Sequence, residues 1–148
     1  MDVVGDAHVL SSFIDKSFDF VFSVSVFEHL LMPWVVAFEI NKILKMGGLV
    51  YTQSHPAWPL HEEPWVFFRF SEHAYGGLFN TFTGFEIVRV GQSIEANVVP
   101  VCATGGALQS IDTRPTFMVS ACIAKKVCEP SVDWSANPAI FSNMQYSH

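Results

Sequence analysis

Two stretches of the sequence concentrate the side chains that could do chemistry. The pair Glu28-His29 follows an apolar run, and the stretch Ser54–Pro64 holds His55 and His61 among three prolines. Imidazole can accept a proton near neutral pH and can also bind a metal ion. Both stretches are therefore candidates for acid–base chemistry or for ligand binding.

The second stretch also contains a possible metal-binding pattern, His-x5-His-Glu-Glu, formed by His55, His61, Glu62 and Glu63. The pattern lacks the helical i, i+4 spacing of the zinc hydrolases. A polar loop over a cleft explains so short a pattern more simply, since such patterns often arise by chance. We therefore predict no metal site from the sequence.

The elements around these stretches predict a parallel strand pair joined by a helix. The run from Phe18 to Val26 is rich in aromatic and β-branched residues and predicts a strand covered on both faces. A helix should begin at Pro33, carry Lys42 and Lys45 in its last turn and end at Gly47-Gly48. Because the next strand spans Leu49 to Gln53, strand–helix–strand predicts a parallel pair with a right-handed crossover.

The rest of the chain predicts a further helix, two more strands and a tail. We expect a strand end at Val3-Val4 and a helix from Ser71 to about Phe82. After these we expect a strand from Phe85 to Val90, a short helix around Ser93–Val98, and a final strand from Phe117 to Lys126. Pro, Ser and Asn dominate after Cys128, which predicts a domain over 1–127 and a loosely structured tail over 128–148.

Composition excludes several classes of protein. The 148 residues carry 8 basic and 14 acidic side chains, a net charge of −6, and no basic run longer than Lys125-Lys126. That balance argues against a nucleic-acid-binding surface. No apolar stretch reaches the ~18 residues of a membrane span. Three cysteines, Cys102, Cys122 and Cys128, form no CxxC pair and predict ordinary thiols in a reducing compartment, the cytoplasm.

Five short motifs in order resemble those of the class I S-adenosylmethionine-dependent methyltransferases. They are Gly5-Asp6-Ala7-His8-x-Leu10, Ser17-Phe18-Asp19-Phe20-Val21, Val26-Phe27-Glu28-His29-Leu30, Leu44-Lys45-Met46-Gly47-Gly48 and Thr83-Gly84-Phe85-Glu86-Ile87. Any one of them alone would be weak, but the ordered set is fairly specific. The resemblance covers about Val3 to Val127.

The resemblance implies a donor site for S-adenosylmethionine. Asp6 and Ala7, with His8 beside them, match the family's turn after its third strand, where a carboxylate and a backbone N–H meet the edge of adenine. Alternatively, Asp6 only caps the turn that follows it. Read with the other motifs, the adenine-binding role is the one we expect.

The resemblance also implies an acceptor site. Glu28-His29 matches the segment beside the methyl acceptor, so His29 is a candidate general base for O- or N-methylation. Alternatively, the pair only orders the loop before the helix, because methyl transfer often needs positioning alone. Four aromatic and imidazole side chains of the Pro-rich loop would form the acceptor side of the cleft, or else pack as a rigid lid on the sheet: His55, Trp58, His61 and Trp65.

Parts of the family pattern have no counterpart in this sequence. The Gly-rich loop that receives the methionine portion of the donor and the acidic residue that binds the ribose should precede Gly5. We therefore expect an N-terminally truncated α/β fold with a partial Rossmann-like sheet. It would have the later strands 4-5-7-6 with flanking helices and lack the first βαβ region. Strand Phe20–Val26 would then be a bare apolar edge, which predicts a homodimer.

Two functions remain open from the sequence. The chain is either a methyltransferase-like domain acting on a small-molecule acceptor, inactive alone because it lacks the Gly-rich loop, or a non-catalytic dimerising or ligand-binding module. Binding of the donor or of its product distinguishes the two.

Overall fold

A four-stranded mixed sheet organises the protein. The computed structural model describes residues 3–15, 17–99 and 115–134. Its strands are β1 (Phe18–Val24), β2 (Leu44–Ser54), β3 (Phe85–Ala96) and β4 (Thr116–Lys126), in the order β1-β2-β4-β3. β1 and β2 are parallel, as the sequence predicts, and the other two pairs are antiparallel.

The two α-helices of the described residues lie between strands in the chain. Helix α1 (Pro33–Ile43) connects β1 to β2 and has Pro33 in its first turn, where a missing N–H leaves no hydrogen bond broken. Helix α2 (Tyr75–Leu78) is a single turn between β2 and β3. Short 3₁₀ helices span Ala7–Ser12, Phe27–His29, Glu72–Ala74 and Thr81–Thr83.

The expected fold class is confirmed. A sheet in the order β1-β2-β4-β3 is the predicted 4-5-7-6 arrangement, with the helices flanking it. The predicted helix over 71–82 is observed as three short helical segments, broken around Phe79 and Asn80.

Several expected boundaries are wrong. Helix α1 ends at Ile43 rather than at Gly47-Gly48, because Leu44 already pairs with Phe18 in the sheet. The short helix expected around Ser93–Val98 is instead the second half of β3, which pairs with β4 as far as Ala96. Val3 and Val4 lie in irregular backbone, not at a strand end.

The core lies between α1, the sheet and the segment that leads to β3. It contains mainly aromatic and aliphatic side chains: Phe27, Val36, Ile40, Val50, Phe70, Tyr75, Phe79 and Phe85. Gly84 ends the helical turn before β3 with φ 83°, a conformation open to glycine, and a Cβ there would lie 2.3 Å from the carbonyl oxygen of Cys128. The turn between the last short helix and β3 therefore requires glycine.

Strand β1 is an edge of the sheet with one open face. Phe20, Phe22 and Val24 point away from the half-buried residues Val21 and Ser23, and all three are exposed. The rings of Phe20 and Phe22 stack with centroids 6.5 Å apart. Within the residues described, β1 is thus not covered on both faces, contrary to what its apolar run alone predicts.

A membrane crossing by a helix finds no support in the described part of the chain, where none of the helices is both long enough and apolar enough.

Candidate functional site

The carboxyl ends of β1 and β2 bring the two chemistry-bearing stretches together. Parallel strands end at the same edge of a sheet, which is where open α/β folds bind their ligands. Ser25 follows β1 and leads into the 3₁₀ turn with Glu28 and His29, while Ser54 closes β2 and His55 follows it. Ser25 and Ser54 thus stand at neighbouring strand ends.

Glu28 is the fully buried centre of the site. Its Oε2 accepts a hydrogen bond of 2.6 Å from Ser54 Oγ. Its Oε1 is buried and has no hydrogen-bond partner. The Pro-rich loop returns over this residue, because the N–H groups of Phe67 and Phe68 donate to the Glu28 carbonyl at 2.8 and 3.2 Å.

Three imidazoles near Glu28 share one hydrogen-bonding pattern. Their Nδ1 atoms lie at hydrogen-bond distance from backbone carbonyls: His29 from Trp65 O at 3.0 Å, His55 from Met118 O at 3.1 Å and His61 from Pro59 O at 3.0 Å. Since a carbonyl can only accept, each Nδ1 carries the proton of its hydrogen bond. In the neutral rings Nε2 is then the atom that can accept a proton or bind a cation.

Distances define these four residues as one group, called here the histidine cluster: Glu28, His29, His55 and His61. Oε1 of Glu28 lies 3.4 Å from His55 Nε2 and 4.0 Å from His29 Nε2. The rings of His29 and His61 meet edge to face with centroids 5.1 Å apart. The sequence named all four residues, and the structure brings them to one place.

The two tryptophans predicted for the acceptor side lie beside the histidine cluster. Trp58 stacks on His55 with centroids 4.3 Å apart, and Trp65 accepts the bond from His29 through its carbonyl. Arg69 donates to the carbonyls of Trp58 and Pro59 at 3.2 and 3.4 Å and so holds the outer part of the loop. The loop is therefore held to the site at several points.

The turn predicted to meet adenine has its own hydrogen bonds. Asp6 Oδ1 accepts from the backbone N–H of His8 at 2.9 Å and caps the helix Ala7–Ser12. The same oxygen lies 2.7 Å from His8 Nδ1, while His8 Nε2 accepts from the N–H of Met32 at 3.2 Å. The capping role of Asp6 is thus observed, and His8 connects this turn to the residue before α1.

The donor fits these residues only in part. The Asp6 side chain is 42% exposed and both of its contacts use Oδ1, so a half-exposed carboxylate is available for the amine of adenine. The methionine end has no comparable place, because in the described residues no glycine lies between β1 and α1 or between β2 and α2. A backbone cradle for that end is absent from both strand-to-helix connections.

Two buried side chains near the site are poor bases or nucleophiles. Burial raises the pKa of Tyr75 to about 12, against the opposite effect of its hydrogen bond with Ser120. Burial likewise raises the pKa of the Cys122 thiol to about 12. Because a thiolate is the reactive form, Cys122 is an inert thiol, as the sequence predicts. The remaining candidates for proton transfer are the histidines.

Two residues of the site, Ser25 and Ser54, were not predicted, and Glu62 was named only as part of the possible metal-binding pattern. Ser25 Oγ lies 3.1 Å from His55 Nε2, Ser54 donates to Glu28, and Glu62 Oε2 lies 3.7 Å from His29 Nε2. Ser25 and Glu62 both have a positive φ, 54° and 49°. The position of each serine at a strand end was the only signal in the sequence that could have indicated them.

Comparisons with known proteins agree with the motifs. The family model described as a methyltransferase domain matches residues 2–52, about a third of the chain. Among curated proteins, the comparison finds no match.

Solved structures with similar folds include methyltransferases. A chain of the Haloferax volcanii complex between the Trm112 methyltransferase activator and a methyltransferase has a TM-score of 0.56 and 21% identity, over 84% of this chain and 60% of that one. An S-adenosylmethionine-dependent methyltransferase of Archaeoglobus fulgidus has a TM-score of 0.59 and 18% identity, over 84% of this chain and 66% of that one. A methyltransferase of Bacillus halodurans has a TM-score of 0.57 and 15% identity, over 82% of this chain and 69% of that one.

The resemblance to class I S-adenosylmethionine-dependent methyltransferase domains is therefore confirmed. At these identities the structural likeness establishes the fold. This chain spans less than two thirds of the Haloferax and Archaeoglobus chains. Domains of this class use S-adenosylmethionine as their methyl donor.

Proposed function

We propose that this chain is a methyltransferase-like domain that presents the acceptor side of a methyl-transfer cleft to a small molecule. The observation that carries the proposal is the convergence of the histidine cluster, with Trp58 and Trp65, at the carboxyl ends of β1 and β2. In this family that edge faces the acceptor. The aromatic rings and the imidazoles suit a flat or polar small molecule.

His29 is the proposed general base of this cleft, with Glu28 as its orienting partner. Because Nδ1 of His29 donates to the Trp65 carbonyl, the neutral ring presents Nε2 as its proton acceptor. Glu28 Oε1, 4.0 Å away, would stabilise the imidazolium that forms. His55, Trp58, His61 and Trp65 would position the acceptor.

Asp6, Ala7 and His8 are the proposed contacts to the donor's adenine. The exposed part of the Asp6 carboxylate supports this role, and the Asp6–His8–Met32 contacts would tie the adenine turn to the acceptor side. We propose that the chain is inactive alone, because neither described strand-to-helix connection offers a glycine to the methionine end. Its free thiols Cys122 and Cys128 suit the cytoplasm, the compartment we propose.

Titration with S-adenosylhomocysteine, the product of the donor, tests this proposal. We expect no saturable heat of binding with a Kd below ~1 mM for the isolated chain, because half of the donor lacks a cradle. A micromolar Kd that weakens in Asp6→Asn would overturn the inactivity and favour a complete enzyme. Asn at position 6 keeps the helix cap, so the variant separates adenine binding from folding.

The second candidate function is a non-catalytic module that dimerises. The observation that favours it is the open face of β1, where Phe20, Phe22 and Val24 are exposed together. Such an edge can pair with a second copy of the chain. In this case the acceptor cleft would bind its ligand without transferring a methyl group.

A further inference from the structure

We propose that Glu28, His29 and His61 form a binding site for a divalent transition-metal ion, with Zn²⁺ as the best match. Their ligand atoms all lie within 4.8 Å of one another. Two imidazole nitrogens and one carboxylate oxygen are a ligand set that zinc commonly takes in proteins. The inference goes beyond the proposed methyl-transfer cleft, since it concerns a cation that no step of that function requires.

The unpaired oxygen of Glu28 is the first argument. The residue has no solvent exposure, and its Oε1 is buried without a hydrogen bond while Ser54 satisfies Oε2. A buried carboxylate oxygen without a partner costs free energy unless a proton, a donor or a cation compensates its charge. Oε1 lies 4.0 Å from His29 Nε2, and the ligand atoms of Glu28, His29 and His61 lie within 4.8 Å of one another. A cation among these atoms would supply that compensation.

The orientation of the histidines is the second argument. In metal sites the ligating imidazole usually donates its other N–H to a carbonyl or carboxylate, which fixes the tautomer and the angle of the ring. His29 and His61 both have Nδ1 at 3.0 Å from a backbone carbonyl, Trp65 O and Pro59 O. Each ring therefore has the second hydrogen bond of a metal ligand already in place.

The distances require only a small contraction. Ligand atoms bound at about 2.1 Å in a tetrahedron stand roughly 3.4 Å apart. The present separations, all within 4.8 Å, must therefore shorten by up to about 1.4 Å. His61 lies on the Pro-rich loop and is half-buried, so its side chain can make this movement. The exposed Glu62 carboxylate, 3.7 Å from His29 Nε2, or a water molecule can take the fourth position.

The ligand set differs from the one suggested by the sequence pattern. His61 belongs to both sets, but Glu28 and His29 come from the segment after β1, which no spacing rule connects with residue 61. His55 also lies near Glu28, with its Nε2 3.4 Å from Oε1. If that ring were doubly protonated, it would neutralise the charge of Glu28 without a metal. The experiment must therefore distinguish a cationic His55 from a bound metal ion.

Metal binding and the proposed base role would exclude one another. A cation would occupy the Nε2 lone pair of His29, the same lone pair that would accept the acceptor's proton. The metal can be titrated without any methyl donor, and the S-adenosylhomocysteine titration can be run without metal. The failure of one proposal is therefore distinguishable from the failure of the other.

Cobalt titration of the purified, chelator-treated full chain tests the site. We expect one Co²⁺ per chain, with the visible absorption bands of tetrahedral cobalt, and displacement of Co²⁺ by Zn²⁺. Glu28→Gln and His61→Ala should each weaken Co²⁺ binding at least about tenfold, since even residues behind the ligands change affinity by 10–100-fold. His73→Ala is the matched control and should bind as the wild type does, because His73 is 89% exposed and is not one of the clustered ligands.

Because Glu28→Gln alters a buried position, circular dichroism checks its fold, and His61→Ala on the loop gives an independent result if that variant does not fold. Binding that is unchanged in His61→Ala, an intense thiolate-to-cobalt absorption band, or no binding of Co²⁺ and Zn²⁺ at about 100 μM would overturn the site. In the last case the imidazolium of His55 would be the counter-charge of Glu28.

Discussion

Lys126 has its charged end in the interior, where it stabilises the end of a helix. The residue is 3% exposed, and its Nζ donates to the carbonyls of Asn41 and Leu44 at 2.9 and 3.2 Å. The last carbonyls of a helix have no partner within the helix and carry a partial negative charge. An ammonium group from β4 therefore satisfies the C-terminal end of α1, and exposed Glu129 pairs with it at 2.8 Å.

Replacing this ammonium should destabilise the fold. We expect Lys126→Met to lower the free energy of unfolding by about 2 kcal/mol, because two carbonyls lose hydrogen bonds to a charged donor. Lys125→Met, at the neighbouring exposed position of β4, is the control and should change stability by less than about 0.5 kcal/mol. Urea unfolding of both variants measures the difference, and an equal loss in the two would contradict this role of Lys126.

At the same scale, residue chemistry predicted most of the site but not its connections. His29, His55 and His61 could be named because histidines after parallel strands face the ligand edge of a sheet. Ser25 and Ser54 could not, since serine is common in loops and its role here depends on distances set by the tertiary fold. Glu62 was named in the possible metal-binding pattern, but its approach to His29 is also set by the tertiary fold. The sequence likewise gave no sign that Glu28 would be fully buried.

Among the elements, the helix Ala7–Ser12 is joined to α1 by one carboxylate. Glu39 Oε2 accepts from the backbone N–H and the hydroxyl of Ser11 at 2.8 and 2.7 Å, and Oε1 accepts from Lys42 at 2.6 Å. Burial alone would raise the pKa of Glu39, but these hydrogen bonds outweigh it and lower the pKa below the ordinary 4.5. The ionised form of Glu39 is therefore favoured by folding.

Linkage gives this contact a pH dependence of definite sign. A carboxyl whose pKa is lowered by folding stabilises the protein above its unfolded pKa of 4.5, and this contribution is lost as the pH falls through the lower folded pKa. We expect Glu39→Gln to reduce the free energy of unfolding by about 1–3 kcal/mol at neutral pH. The deficit should shrink below pH 4.5.

Urea unfolding at a series of pH values measures this difference. Glu95→Gln, on the exposed part of β3, is the control and should follow the wild type at each pH. A deficit of Glu39→Gln that stays constant as the pH falls would mean that packing, not charge, joins the helix Ala7–Ser12 to α1.

The type of an element was predictable where its apolar pattern was continuous. Predicted boundaries were wrong where strand pairing, not local sequence, set the end of the element. β1, β2 and β4 read as strands because aromatic and β-branched residues fill them. The segment around Ser93–Val98 has no such pattern, yet it extends β3, because Ser93 and Glu95 pair with Val119 and Phe117 of β4. Leu44 likewise joins the sheet through its pairing with Phe18, before the two glycines that predict the end of α1.

For the whole molecule, the open face of β1 is the feature with the largest consequence. A parallel sheet is normally buried on both faces, whereas Phe22 on β1 is 72% exposed and Phe20 is 52% exposed. Exposed aromatic side chains on a sheet edge favour association, either with another chain or with a second copy of this one. The second copy is the partner proposed here, since a two-fold axis along β1 would cover both apolar faces at once.

Light scattering coupled to size-exclusion chromatography decides whether the edge associates. We expect the wild type to elute at twice its 16.5 kDa mass at micromolar concentration. Phe22→Lys should elute as a monomer with an unchanged circular dichroism spectrum, because a charge on the edge opposes burial against its own copy. Phe82→Lys changes a phenylalanine of similar exposure away from β1 and should remain dimeric. A monomeric wild type would show that the open face of β1 does not associate. Dimers of equal stability in both variants would show that the contact lies elsewhere, because a charge on β1 would then leave the dimer unchanged.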